Sequence, residues 1–195
     1  MRADRAIIGG AALLLLLALS PLGPLLESRL ATHILGYYPL NVAGGAVIGA
    51  RLAQGRGVPW TAAPALLMAT LTLAFWALPR WIDASLADDS VHAARTANLA
   101  LLAGLPLGWG WTQAGPILRG FFIANAAAML AVMGWLMLAV PSRLCNTYLL
   151  SDQRQLGNGF LIVAAGLVAA LLGQALIGSM REPGSRRQHA CHLAE

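Results

Sequence analysis

Six stretches of this chain run for 21 to 26 residues without a single Asp, Glu, Lys or Arg: Ala6–Leu26, Leu30–Ala50, Pro59–Pro79, Thr96–Leu118, Gly120–Ser142 and Gln155–Met180. About 20 apolar residues carry an α-helix across the hydrocarbon core of a bilayer. Hydrocarbon offers no partner to a backbone N–H or C=O, so such a stretch satisfies its own backbone only as a helix. No alternation of apolar and polar residues competes with that reading. The expected fold class is all-α: a polytopic membrane helix bundle over residues 1–180, with six transmembrane helices and both termini cytoplasmic. The expected spans lie near residues 6–26, 30–50, 59–79, 91–112, 118–141 and 156–180, and a flexible cytoplasmic tail covers 181–195.

Charge supports the lipid setting. Only 11% of residues are charged, where a soluble domain carries about 25%. All 13 basic residues are arginine and the net charge is +5. In a soluble protein that balance would suggest nucleic acid. Here the arginines are scattered between apolar runs and read as topology markers, so nucleic acid is excluded as a partner and the lipid bilayer is expected. With the N-terminus inside, Arg2, Arg5, Arg51, Arg56, Arg119, Arg181, Arg186 and Arg187 fall on the cytoplasmic side, and Arg29, Arg80, Arg95, Arg143 and Arg154 outside. That excess of basic residues inside sets the orientation. The N-terminal run reads as a retained signal anchor, because its uncharged stretch exceeds a usual h-region. Cys145 and Cys191 fall on opposite sides of the bilayer in this topology and are not expected to pair with each other. The absence of lysine and the abundance of Ala and Leu point to a GC-rich bacterial source and an inner-membrane location.

Connections are short, and the sizeable one is Arg80–Arg95. Asp89 or Ser90 is expected to cap the fourth helix, and Trp81–Asp88 to form a short interfacial helix. Ionisable residues near spans are the default functional candidates in a membrane protein. His33 in the second helix, His92 at the start of the fourth, Asp83 in the loop, and Asp152 with Gln153 before the sixth all gather at the outer face. Each has a plain alternative. His33 reads either as an interfacial histidine or as a metal or substrate ligand. His92 reads as a helix-start residue or a ligand, and Asp83, Asp88 and Asp89 as a solvated loop face. Met129, Met133 and Met137 recur every four residues on one face of the fifth helix. That stripe is a packing face or a path of soft ligands suited to Cu(I). Trp76, Trp81, Trp109 and Trp111 read as an interfacial aromatic belt. Gly45 and Gly49 form a small-xxx-small pair that invites close helix packing. Enzyme motifs are absent: there is no Walker loop, GxSxG or HExxH.

The order of short motifs resembles the polytopic CtaG-like family of cytochrome c oxidase assembly proteins. The resemblance rests on Ser28-Arg-Leu-Ala-Thr-His33-Ile-Leu, Trp76-Ala-Leu-Pro79-Arg-Trp-Ile-Asp83, Val91-His92-Ala-Ala, Leu101-Leu-Ala-Gly104-Leu with Trp109-Gly-Trp111, and Leu149-Leu-Ser-Asp152-Gln153-Arg-Gln155-Leu-Gly157. It implies a role in maturing the copper centres of a haem–copper oxidase, with an oxidase subunit as partner and copper transiently bound. His33 and His92 align with histidines at the family positions, and Asp83 and the Asp152–Gln153 pair with polar positions of its outer loops. The family tends to place a second histidine about one turn after each. This chain has Tyr37 and Thr96 there.

Two non-enzymatic functions follow. One is an oxidase assembly or metal-handling factor whose outer His/Asp cluster passes copper. The other is a non-catalytic accessory subunit of a respiratory membrane complex, docking through that face, with haem ligation by His33 and His92 as a variant. A small transporter is disfavoured by the scarcity of mid-membrane charge and the lack of an internal repeat.

Overall fold

Prolines punctuate this helical chain and decide where its helices begin and bend. The computed structural model describes residues 9–12, 14, 29–140 and 149–180. The expected first span and the expected 181–195 tail therefore lie largely or wholly outside the described residues, as do both cysteines. Residues 9–12 and 14 are helical, and Gly10 lies against Gly44.

Helix α1 comprises Leu30–Thr32, a π-helical segment His33–Tyr37 and Tyr38–Ala53. Helix α2 is Pro59–Trp76, opening on a short 3-10 turn. Helix α3 is Pro79–Ala87. Helix α4 joins Asp89–Asn98, a second π-helical segment Leu99–Gly104, and Leu105–Gln113. Helices α5 and α6 are Pro116–Ala139 and Leu150–Met180. Among the described residues there is no strand.

Pro59, Pro79 and Pro116 each sit in the first turn of a helix, where a missing N–H costs nothing. Pro79 thus opens α3, and the third apolar helix ends at Trp76 rather than running to 79. Asp88 is the N-cap of α4, accepting from the Ser90 and Val91 N–H groups. This corrects the expected Asp89 or Ser90 cap, both of which fall inside the first turn. Helix α5 runs 116–139 rather than 118–141, and α6 begins at Leu150, six residues before the expected 156, with Asp152 in its first turn.

Pro39 and Pro106 are different, because both lie inside helices. A proline there lacks a donor and presses on the carbonyl four residues back. Each stands two residues after a π-helical segment. The extra residue of the wider turn moves the i−4 carbonyl off the ring. The carbonyl stranded by Pro106 is that of Leu102, and the Thr72 hydroxyl reaches it at 3.3 Å while also donating to Met68 C=O at 2.9 Å.

Helix α4 is the hub, packed against both α1 and α2, while α5 pairs with α6. Helices α1 and α4 run parallel and cross at glycines. A Cβ on Gly45 or Gly49 would overlap the backbone of Ala100 or Leu105, and one on Gly104 or Gly108 the backbone of Val42 or Ala46. The expected close packing at Gly45 and Gly49 is realised, with a matching pair on the partner helix. Helix α2 runs antiparallel to α4, with Trp109 Nε1 donating to Thr61 Oγ1 at one end and Thr72 meeting Leu102 nearer the other.

The surface is apolar and the interior partly polar. Helices Pro59–Trp76, Pro116–Ala139 and Leu150–Leu176 are long and apolar enough to cross a membrane. Their outward side chains include Ile117 at 88% exposure, Ile162 at 72% and Phe121 at 70%. His33, Asn41, Ser85, Arg95 and Gln153 are buried instead. That inversion suits a protein whose solvent is lipid.

Candidate functional site

Three of the buried polar residues, His33, Ser85 and Arg95, meet at one end of the bundle around the Arg95 side chain. Arg95 stands on α4 one turn after His92, so both point into the same crevice between α1, α3 and α4. It is wholly buried. Its Nη1 donates to His33 Nε2 at 2.7 Å and to Ser85 Oγ on α3 at 2.6 Å, and its Nη2 to His92 Nδ1 at 3.0 Å. The guanidinium also lies 5.2 Å from the ring centre of Tyr37 and 5.7 Å from that of Tyr38, within cation–π range.

These contacts fix the protons. A guanidinium has no acceptor, so His33 Nε2 and His92 Nδ1 each present a lone pair to it. His92 then carries its proton on Nε2, which faces the Tyr37 hydroxyl at 3.5 Å. Thr96 Oγ1 donates its proton to the His92 carbonyl at 3.0 Å, so Tyr37 must donate to Thr96, at 2.9 Å. The donors run in one direction, from Arg95 through His92, Tyr37 and Thr96 back to the His92 backbone. Ser85 likewise accepts from Arg95 and donates to Ile82 C=O at 2.8 Å.

The π turn of α1 carries His33 and Tyr37, four residues apart and both fully buried. Asn41 Nδ2 holds the Tyr37 carbonyl at 2.9 Å. The Tyr38 hydroxyl donates to Trp76 C=O at 2.7 Å, tying α1 to the end of α2. Trp76 is 4% exposed and packs on Phe75 and Trp81. It is a core residue and not part of an aromatic belt.

The structure brings His33, His92, Tyr37 and Thr96 together. Asp83 is half-buried on α3, beside the Ile82 and Ser85 that enter the core. Asp152 and Gln153 stand at the start of α6, toward the same end. Gln153 is buried and serves α5, its Nε2 donating to Met137 C=O at 3.1 Å, a carbonyl of the last turn that lacks a helical partner. The methionine stripe divides: Met137 is buried, Met133 packs partly against the core, and Met129 is 51% exposed. Arg95 belongs to the buried network and not to an exposed outer loop.

A metal does not fit this donor set. The imidazole nitrogens that turn toward each other are engaged by a permanently charged guanidinium between them. Among the described residues, no group of three or more His, Cys, Asp or Glu side chains could hold a metal ion. Arg95, Ser85, Tyr38 and Asn41 were not legible as site residues. Arg95 alone carried a signal, the three-residue spacing from His92.

No family model matches the chain, and no curated protein and no solved structure matches it either.

Proposed function

We propose that this chain is a six-span inner-membrane protein with both ends in the cytoplasm, acting as a non-catalytic assembly factor for a haem–copper oxidase. The parallel run of α1 and α4, with α2 antiparallel, supports the topology, because alternate spans must share a direction. The observation that carries the functional reading is the convergence of His33, Tyr37, His92 and Thr96. His33 and His92 are the histidines that the resemblance to CtaG-like proteins aligns, and Tyr37 and Thr96 stand where this chain departs from that pattern. All four, from two helices, are linked through Arg95 in one hydrogen-bonded network. In this chain the cluster holds two helices and α3 in register, and its outer surface recognises an oxidase subunit. Copper is not held by the His33–His92 pair.

The closed hydrogen-bonded network around Arg95 favours a second reading, a permanent accessory subunit that needs a rigid docking face. Affinity capture in mild detergent separates the two. Recovery of immature oxidase alone supports the assembly factor, and a stoichiometric complex with mature oxidase supports the accessory subunit. Recovery of neither overturns both. Reporter fusions at Gly55 and Asp88 test the topology and must report opposite sides of the bilayer.

A further inference from the structure

At the end of the bundle away from Arg95, a groove of about 530 Å³ opens between α1, α4 and α5. Its walls include Ala46, Val47 and Ala50 of α1, Leu107 of α4, and Phe122 and Ala126 of α5. Small residues leave the space, and the exposed lining is apolar throughout. A chain-like apolar ligand suits such a trough, whose size lies in the range of small-molecule sites.

Two arginines adjoin the lining residues at one end of the groove, Arg51 next to Ala50 and Arg119 one turn before Phe122. Trp111 closes that end. Arg119 donates from Nε to Trp111 C=O at 3.0 Å, and its guanidinium stands 5.5 Å over the Trp111 ring. Its Nη groups keep the fork that matches a phosphate. Arg51 follows Ala50, the last groove residue of α1, and its one side-chain hydrogen bond among the described residues is a long contact of 3.4 Å to Gln54. The sequence carries no acid between Glu27 and Asp83 or between Asp89 and Asp152. The walls contributed by α1, α4 and α5 and both connections at the mouth are therefore free of negative charge. Ile117 and Phe121, both strongly exposed beside Arg119, place this mouth at the level where apolar surface gives way to headgroups.

We propose that this groove binds an anionic phospholipid, with an acyl chain between α1, α4 and α5 and the phosphate on Arg51 and Arg119. The inference rests on the membrane reading above and not on the oxidase reading. A transmembrane helix of another protein would meet two unmatched cations at the mouth, whereas the phosphodiester of an anionic lipid can bond to both and offsets one of the two charges.

Native mass spectrometry of the full chain in detergent tests it. Dioleoyl phosphatidylglycerol is compared with dioleoyl phosphatidylcholine, which has the same chains and no net charge. Preferential retention of phosphatidylglycerol is expected, weakened about thirtyfold in R51Q/R119Q, given the usual contribution of juxtamembrane cations to anionic lipid binding. R56Q is the control, because Arg56 lies over Trp109 on the side facing α2 and removes the same charge away from the groove. A126F, which fills the groove, should weaken both lipids while gel filtration reports an intact fold. Equal retention of the two lipids overturns the proposal, as does an R56Q loss equal to that of the double variant. Displacement of the lipid by equimolar inorganic phosphate would show a simple phosphate site and also overturns it. Flotation with reconstituted vesicles tests the membrane reading separately: a chain that floats yet retains both lipids alike sinks this site alone.

Discussion

Arg95 and His33, 62 residues apart in the chain, meet at 2.7 Å in the core of the bundle. The contact joins two parallel helices, and the same guanidinium reaches α3 through Ser85. A buried charge costs heavily unless it is hydrogen-bonded, and separating the three elements would strip both Nη groups of their acceptors. R95M leaves His33, Ser85 and His92 without their donor and is expected to destabilise the bundle by about 1–3 kcal/mol, read from denaturation in mixed SDS micelles. R95K should lose most of that amount too, because an ammonium cannot span His33, Ser85 and His92 as a planar fork does. A lysine variant as stable as the parent would remove the argument for geometry.

Copper binding follows from the same contact. Cu(I) needs imidazole lone pairs, and both that converge here point at a guanidinium. Wild type and H33A/H92A are expected to compete equally poorly with a Cu(I) chelator. Tight, stoichiometric Cu(I) uptake that disappears in the double variant would show that the metal displaces Arg95.

At the glycine crossing, a single methyl is enough to discriminate. G108A drives a Cβ into the Ala46 carbonyl and should cost about 1–3 kcal/mol, the scale of overpacking in a tight core. G120A meets nothing within 4 Å and lies inside α5, so it should stabilise by up to about 1 kcal/mol. The same unfolding assay reads both.

Acid should release the start of α4. The Asp88 carboxyl lies below its ordinary value of 3.8, held down first by the Ser90 hydroxyl and then by the Ser90 and Val91 N–H groups. A carboxyl depressed in the folded state adds stability above its unfolded pKa and loses it as pH falls through the folded value. Wild type should therefore melt above D88A at neutral pH, and the gap should close in acid below 3.8. A gap that persists in strong acid would show that the cap acts without its charge.

The helices and their approximate limits were legible because lipid demands uninterrupted apolar runs. His33 and His92 stood out as polar groups beside such runs. Arg95 did not, because an arginine at the edge of an apolar stretch has the same appearance whether it snorkels to water or turns inward. The methionine stripe shows a related ambiguity. Spacing by four puts Met129, Met133 and Met137 on one face, but a helix apolar all round does not announce which face turns inward. Only packing separates buried Met137 from exposed Met129. The internal prolines Pro39 and Pro106 held a readable signal, since a proline within an apolar run has to be accommodated by a kink or a wider turn.

The four glycines where α1 and α4 cross carry a consequence for kinship. Each is fixed by the other helix's main chain, which does not change when side chains are exchanged. A distant relative can trade both imidazoles for other polar groups and still close this bundle. It cannot enlarge the residues at 45, 49, 104 and 108 without forcing the two rods apart. The spacing Gly45-x-x-x-Gly49 with Gly104-x-x-x-Gly108 is therefore a better probe for lost cousins than any pair of histidines.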